Sequence, residues 1–187
     1  RLGGVAEPFP PYFEEGLMKL LDYLEKRLND YEVFLEKNPV FIERTKGVGV
    51  LGRKEAIELG VTGPVLRASG VNFDTRRNFS YYAYEKLHFV TQVQTKGDSY
   101  ARYKVRMLEM KESIKIIRDA FKKMPDGDEL GLPIKLISPP IKNTEVFVKR
   151  ELPRGEGYMY MIADKQRPYR LAIRAPAFVN LSALRYL

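Results

Sequence analysis

The chain has 187 residues and no cysteine, and its 32 lysine and arginine residues against 24 acidic residues give a net charge of +8. The absence of cysteine excludes disulfides, thiolate-bound metal clusters and thiol nucleophiles within these residues. No apolar run reaches the roughly 18 residues that a membrane-spanning helix needs. The basic balance indicates either an anionic partner or the Lys/Glu-rich surface of a heat-adapted protein, and composition leaves both open.

The first periodic segment predicts a helix from Tyr12 to Lys37. Apolar side chains recur in it at alternating intervals of four and three residues, which places them on one helical face. They are Leu17, Leu21, Leu24, Leu28, Tyr31 and Leu35. Asn38-Pro39 ends this helix. After a glycine-bearing linker, a short helix from Arg53 to Leu59 stops at Gly60, which predicts a left-handed C-terminal cap.

The segment from Thr62 to Thr95 has no clear period and is predicted as a long loop, of the kind that is usually functional or held by partners. It combines aromatic residues with a cluster of charged ones. These are Arg67, Asp74, Arg76 and Arg77. Arginine forms bidentate bonds with carboxylates, so the cluster predicts either an orienting network in a functional site or ion pairs that only hold the loop.

A second long helix is predicted from Ser99 to Lys123, capped by Asp98 or Ser99. Its apolar positions again alternate by three and four residues. They are Tyr100, Tyr103, Met107, Met110, Ile114, Ile117 and Phe121. The other faces are mainly basic. Together with stacking surfaces from the tyrosines at positions 81, 82 and 84, this basic helix suggests an alternative of another class, a nucleic-acid-binding module.

Beyond Met124, prolines and glycines interrupt any helix, and three short β-like runs follow. They are Glu145–Arg150, Gly157–Asp164 and Tyr169–Arg174, with a turn from Asp164 to Pro168 between the last two. The predicted fold class is therefore α+β, with two long packed helices, connecting loops and a small antiparallel sheet near the C-terminus. A helical part, 1–130, and a β-rich part, 131–187, are the predicted units.

Residues 152–155 read Leu-Pro-Arg-Gly and predict a tight turn. Pro153 stiffens its entry and Gly155 permits its exit, so the turn can hold the Arg154 guanidinium over a cavity. The alternative is an ordinary hairpin arginine in solvent. His88 is the single histidine, expected at or near the surface, and it cannot supply a catalytic triad or a multi-histidine metal site.

Three motifs together resemble one family, the large subunit shared by respiratory complex I (the 49-kDa or D subunit of NADH:quinone oxidoreductase) and membrane-bound nickel-iron hydrogenases. The chain reads GPVLRASGVNFDTRR from Gly63, YYAY from Tyr81 and GDSYARYKVRMLEM from Gly97. The corresponding family patterns are GP-x-LR-x-SG-x-x-x-D-x-RR, Y-x-x-Y and GD-x-x-x-RY-x-VR-x-x-EM. The resemblance covers essentially the whole chain, and we expect a central fragment of the larger subunit.

The resemblance implies a multisubunit, energy-converting membrane oxidoreductase, in which electrons arrive from an iron-sulfur cluster held by a small partner subunit. The large subunit would shape the acceptor cavity, hold no cofactor within this fragment, bind no nucleic acid and lie peripherally at the cytoplasmic face of the membrane. The isolated chain is expected to have no redox activity. A catalytic role is implied for Arg154. Roles at the acceptor cavity or an interface are implied for Arg67, Asp74, Arg76, Arg77, Asp98, Gly155, Arg167 and Arg170.

The acceptor stays open between quinone, protons at a nickel-iron centre and another compound. Residues 151–155 read ELPRG, which is similar to the hydrogenase motif E-A-P-R-G, whereas complex I members often carry lysine at the arginine position. Gly3-Gly4-Val5 matches the family's R-x-GG-V, but Pro8-Phe9-Pro10 stands where quinone-reducing members have Asp-Leu-Pro. The missing carboxylate disfavours ordinary quinone chemistry. A purely structural assembly subunit is a further alternative.

Overall fold

A computed structural model of the chain describes residues 7–125, 127, 141–165 and 167–187. The described helices are α1 (Phe13–Glu36), α2 (Pro39–Thr45), α3 (Arg53–Glu58), α4 (Pro64–Ala68), α5 (Thr75–Asn78), α6 (Ser99–Lys122) and α7 (Pro176–Leu181). The strands are β1 (Ile141–Leu152), β2 (Gly155–Lys165) and β3 (Arg167–Arg174), and two 3-10 turns span Tyr84–Lys86 and Ser182–Tyr186. These elements confirm the predicted α+β class.

The two long helices pack against each other, as their periodicity predicts. Leu21 and Leu28 of α1 form a buried cluster with Met107 and Ile114 of α6. Some positions of the two predicted stripes stay exposed. These exposed positions are Leu24, Tyr31, Met110 and Ile117.

A second face of α6 is buried against α4. Ala101 and Val105 pack with Ala68, and all three are almost completely buried. Their small or compact side chains allow α4 to approach the long helix closely. The surface of α6 outside the predicted apolar stripe therefore includes a buried face, which anchors the segment 62–95.

Ion pairs reinforce the contact between α1 and α6. Glu32 binds Lys111 at 2.6 Å and also pairs with Lys104, and Lys104 contacts Glu36 at 2.7 Å. Hydrogen bonds from Lys104 and Lys111 lower the pKa of Glu32 below its ordinary value of 4.5, against a smaller opposing effect of burial. Stability from this group is therefore present above its unfolded-state pKa and lost as the pH falls through its lowered folded-state pKa.

Glu32→Gln is expected to reduce the free energy of unfolding by about 1 kcal/mol at pH 7, since it weakens two partly buried pairs. The difference from the parent chain should diminish as the pH falls through the lowered folded-state pKa of Glu32. Urea unfolding of both chains across this range measures it. Glu15→Gln is the control, because the Glu15–Lys19 pair is largely exposed and contributes little. Equal stability of Glu32→Gln and the parent at pH 7 would contradict the prediction.

Several predicted helix ends are confirmed. Gly60 follows α3 with φ of +64°, and Asp98 caps α6 by accepting from the Ala101 N–H at 2.7 Å. The other Asp98 carboxylate oxygen accepts from the Gly47 N–H at 2.8 Å. Asn38 accepts from the Val40 N–H at 3.0 Å and so begins α2, which the sequence analysis did not predict.

The segment 62–95 is not the irregular loop that was predicted. It contains α4, α5 and the 3-10 turn at Tyr84–Lys86. Each of these elements has five residues or fewer, too few to produce a hydrophobic period. The loop prediction was wrong for this physical reason.

The sheet is antiparallel, as predicted, and its strand order is β1-β2-β3. Its strands extend beyond the predicted limits, and β2 and β3 stay paired as far as Asp164↔Arg167, inside the predicted turn. The β-rich part also contains α7, and its division from the helical part at residue 130 stays a prediction. No helix in the described residues is both long enough and apolar enough to cross a membrane.

Candidate functional site

Arg67 lies at the centre of a buried charge cluster. It belongs to α4, and only 2% of its side chain is exposed. Its Nε donates to Glu109 of α6 at 2.6 Å, while Nη1 donates to Glu151 of β1 and to the Phe73 carbonyl, each at 2.9 Å. Burial alone would lower the pKa of Arg67, but the charges of Glu109 and Glu151 outweigh it and raise the pKa. A permanently charged arginine therefore connects α4, α6 and β1.

Asp74 and Arg76 form the second half of this cluster. Asp74 caps α5 by accepting from the Arg76 N–H, and the Arg76 guanidinium returns a bidentate contact at 2.9 and 2.6 Å. Arg67 lies 3.9 Å from the same carboxylate. Burial would raise the pKa of Asp74, yet the hydrogen bonds and charge of Arg76 prevail and lower it. Asp74 is therefore ionised between two arginines.

The cluster holds one more negative group than positive groups. Arg67 and Arg76 face three carboxylates, those of Asp74, Glu109 and Glu151. Burial raises the pKa of Glu109 despite the opposing charge of Arg67. Because the pKa of Asp74 is lowered, Glu109 takes up a proton before Asp74 does as the pH falls.

The turn between β1 and β2 packs directly on the start of α4. Leu152 pairs with Gly155, so Pro153 and Arg154 form a two-residue turn as the sequence predicts. Gly155 has φ of +130°, and Gly63 has φ of +69°. A Cβ atom added to Gly63 would lie 2.4 Å from the Gly155 Cα, and one added to Gly155 would lie 2.8 Å from the Gly63 nitrogen. Only glycine at both positions permits this approach.

Hydrogen bonds fix both flanks of the turn. Thr75 donates from its N–H to Glu151 Oε2 at 3.2 Å and from its hydroxyl to Glu156 Oε2 at 3.3 Å. The Glu156 N–H donates to the Thr62 hydroxyl at 3.1 Å, and the Glu151 N–H donates to the Tyr81 hydroxyl at 3.0 Å. These hydrogen bonds fix the turn between β1 and β2. They join the hairpin to residues that lie about 70 to 94 positions earlier in the chain.

Arg154 itself lies at the exposed tip of this turn. Its side chain is exposed, and its guanidinium forms no hydrogen bond or ion pair with any described residue. The structure therefore leaves open both interpretations made from the sequence, a guanidinium presented to a ligand and a solvent-exposed hairpin arginine. Its backbone is nevertheless held firmly between Pro153 and Gly155.

The other predicted site residues fall into separate places. Arg77 is exposed and donates to the Phe89 carbonyl at 2.7 Å. Asp98 lies at the start of α6, where one carboxylate oxygen caps the helix and the other accepts from the Gly47 N–H. Arg170 is exposed on β3, opposite Ile162 of β2. Arg167 begins β3, and its side chain lies outside the described residues, as do Gly3, Gly4 and Val5 of the N-terminal motif.

Arg76 and Arg77 line a surface cavity of about 630 Å³. The rings of Phe89 and Tyr84 lie 4.9 and 5.8 Å from the Arg76 guanidinium carbon. His88 is also at this cavity, with 91% of its side chain exposed, in agreement with the predicted surface position. The motif GPVLRASGVNFDTRR thus contributes arginines to two places, with Arg67 inside the buried cluster and Arg77 at the surface.

Comparison with known proteins identifies the family to which these motifs belong. The profile of the family described as "Respiratory-chain NADH dehydrogenase, 49 Kd subunit" matches residues 1–143 and 135–187. The chain belongs to this 49-kDa subunit family. The resemblance seen in the sequence is thereby confirmed.

Curated members of the 49-kDa subunit family match nearly the whole chain. The D subunit of the NADH-quinone oxidoreductase of Dehalococcoides mccartyi is 44% identical over 186 residues, covering 99% of this chain and 50% of the relative. The D subunit of the F(420)H(2) dehydrogenase of Methanosarcina mazei is 43% identical over 189 residues, covering 98% of this chain and 50% of the relative. The chain thus spans about half the length of the curated relatives it matches.

A solved structure has the same fold. A chain of the membrane-bound sulfane sulfur reductase, an archaeal respiratory membrane complex, aligns with a TM-score of 0.89 and 32% identity. The alignment covers 99% of this chain and 52% of that chain. Named relatives of the 49-kDa subunit family therefore belong to complexes with different electron donors or acceptors.

Two of the three carboxylate partners of the arginines, Glu109 and Glu151, were not among the predicted site residues, whereas Asp74 was. Glu109 is the next-to-last residue of the motif GD-x-x-x-RY-x-VR-x-x-EM, and Glu151 begins ELPRG, so both stand inside motifs that resemble those of the family. Their position in those motifs was the available signal. Thr62, Thr75 and Glu156 had no such signal, because their contacts depend on how the hairpin docks onto α4 and α5.

The case for a nucleic-acid-binding helix weakens in the structure. Lys104, Lys111 and Arg118 of α6 all form ion pairs with carboxylates of α1. Edge-to-face contacts pack the ring of Tyr81 against Tyr82 and Tyr84, and the Arg150 guanidinium carbon lies 4.4 Å from the Tyr81 ring centre. These cations and rings interact within the chain, which reduces the phosphate and stacking contacts that they could offer to a nucleic acid.

The described residues contain no group of three or more histidine, cysteine, aspartate or glutamate side chains arranged to bind a metal. The complete sequence also lacks the cysteines that bind iron-sulfur clusters or nickel-iron centres. The residues present therefore do not fit either metal group. The three carboxylates of the buried cluster are instead paired with Arg67 and Arg76.

Proposed function

We propose that the chain forms part of the catalytic large subunit of a complex-I-like, energy-converting membrane oxidoreductase. The observation that carries this proposal is the convergence of the family motifs on one structure. Arg67 of the first motif binds Glu109 of the second and Glu151 beside the Arg154 turn, while Gly63 packs on Gly155. Motifs distant in sequence thus fix the single turn that presents Arg154.

The role proposed for these residues is to hold one cation at the edge of the acceptor cavity. Glu151 and Glu156 fix the two strands, and Pro153 and Gly155 shape the turn between them. The exposed Arg154 guanidinium then offers several N–H donors to a polar or developing negative group on the acceptor. An iron-sulfur cluster in a small partner subunit would supply the electrons, and no cofactor is assigned to this chain, which would be inactive alone.

Exposed apolar side chains support assembly with further polypeptide. Phe147, Leu171 and Ile173 of the sheet are half-exposed or more, and Phe178 and Leu184 near the C-terminus are 80% and 63% exposed. Apolar surfaces of this kind mark protein interfaces. We propose that the subunit is peripheral, at the cytoplasmic face of the membrane, and that an iron-sulfur subunit is among its partners.

A hydrogenase-type large subunit is the second candidate function. The arginine in ELPRG favours it, because that motif resembles the hydrogenase form. Pro8 and Phe9 stand where quinone-reducing members place an Asp-Leu pair, which also disfavours quinone as the acceptor. A nickel-iron centre would have to be held entirely by cysteines outside these residues.

Substitution of Arg154 in the assembled complex tests the proposal. Arg154→Ala should lower turnover about 10- to 100-fold, the range expected for losing one or two hydrogen bonds to a charged group. Arg154→Lys should also reduce turnover, because lysine keeps the charge and loses the planar fork. Turnover is measured in membranes with a quinone analogue and with hydrogen as probes, and native gels report assembly. Arg53→Lys, an exposed substitution on α3, is the control. Unchanged turnover in Arg154→Ala would contradict the proposal.

A further inference from the structure

Asn180 connects three distant parts of the chain through one side chain. It lies on α7, and its Oδ1 accepts from the Thr62 N–H at 3.0 Å. Its Nδ2 donates to the Arg154 carbonyl at 2.9 Å and to the Thr62 carbonyl at 3.3 Å. A helix near the C-terminus thus contacts both the residue before Gly63 and the tip of the β1–β2 turn.

Only a carboxamide satisfies this set of contacts. One acceptor must face an N–H while two donors face two carbonyls, and asparagine provides both in a single planar group. The three bonds also determine the orientation of the amide, because the reversed amide would direct its donor at the Thr62 N–H. Aspartate offers no donor to the Arg154 carbonyl, and alanine offers neither group.

The bond to Arg154 acts on the peptide group that the residue types of the turn themselves restrict least. Pro153 restricts the backbone before Arg154, whereas Gly155 follows it with φ of +130° and no side chain. The peptide plane between Arg154 and Gly155 is therefore the one whose rotation would redirect the arginine. Asn180 binds the carbonyl of that plane.

We infer that Asn180 is a positioning residue for Arg154, fixing the direction in which the guanidinium leaves the turn. The effect of Asn180 on turnover rests on the proposed function. Its effect on the backbone of the turn does not, since the hydrogen bonds are made within the chain.

A double-mutant cycle in the assembled complex tests the coupling. Asn180→Ala should lower turnover about three- to tenfold, which corresponds to one ordinary hydrogen bond. In the Arg154→Ala background the same change should have no further effect, because the side chain that Asn180 directs is absent. Asn38→Ala, which removes the asparagine cap of α2, is the control and should act equally in both backgrounds. Where Arg154→Ala itself lowers turnover, an equal loss from Asn180→Ala in both backgrounds, or no loss in either, would overturn the inference.

Amide hydrogen exchange on the purified chain decides the inference independently of turnover. Asn180→Ala should speed exchange at the Gly155 and Glu156 amides, whereas Asn38→Ala should leave them unchanged. If Arg154→Ala does not affect turnover but exchange at the turn still rises in Asn180→Ala, the proposed function fails and the positioning role stands. Unchanged exchange at the turn in Asn180→Ala would overturn the positioning role.

Discussion

Replacing Arg67 with methionine is expected to destabilise the chain by about 3–5 kcal/mol, the cost of leaving buried carboxylates without their partner. Glu109 and Glu151 would lose their direct contacts, and Asp74 would keep only Arg76. Urea unfolding at pH 7, followed by circular dichroism, measures the loss. Arg77→Met is the matched control from the same motif. It is exposed and makes one bond to a carbonyl, so it should cost about 1 kcal/mol.

The same variant has a diagnostic pH dependence. Burial already raises the pKa of Glu109, and removing Arg67 should raise it further. A group whose pKa is raised in the folded state stabilises the folded chain at low pH. This stabilisation is lost as the pH rises through the folded-state pKa. The deficit of Arg67→Met should therefore shrink between pH 7 and about pH 4. A deficit below about 1 kcal/mol at pH 7, or one that grows on acidification, would contradict the buried cluster.

Gly63→Ala is expected to be about as damaging, with a loss of about 3 kcal/mol or more. Gly63 has φ of +69° and ψ of −147°, a region that is essentially restricted to glycine. The added Cβ would also meet the Gly155 backbone at 2.4 Å, so the hairpin has to move away from α4. Thermal unfolding measures the loss, and faster exchange of the Glu156 amide reports the displaced hairpin.

Gly60→Ala separates backbone strain from collision. Gly60 also has positive φ, at +64°, but a Cβ added there meets nothing within 4 Å. Its substitution should therefore cost only about 1 kcal/mol, the strain of a left-handed alanine. Equal losses at the two glycines would show that the contact between Gly63 and Gly155 contributes nothing.

Periodic elements were the part of the fold that could be predicted from sequence. The alternating three- and four-residue intervals of α1 and α6 report a helix directly, and Asp98 and Gly60 mark helix ends by local chemistry. The contact of Val105 with Ala68 could not be predicted, because the same helix has a stronger apolar stripe on another face. Elements of four or five residues such as α4 and α5 carry no period at all.

The candidate site was predictable in its cations and in Asp74, but not in its other two carboxylates. Arg67 and Arg154 were identified, but the choice of Glu109 and Glu151 as partners depends on three elements meeting, up to 84 residues apart. Asn180 is a still harder case, since an asparagine on a short helix has many equivalent roles in sequence. Its role became visible only when the two carbonyls and the N–H that it binds were located.

The structure of the assembled complex, isolated from membranes and determined by electron microscopy, tests the central claim most directly. Our account predicts that the Arg154 guanidinium lies in a cavity beside an iron-sulfur subunit, with Asn180 still bound to the Arg154 carbonyl. An intact complex in which the Arg154 turn faces bulk solvent, away from the iron-sulfur subunit, would contradict it.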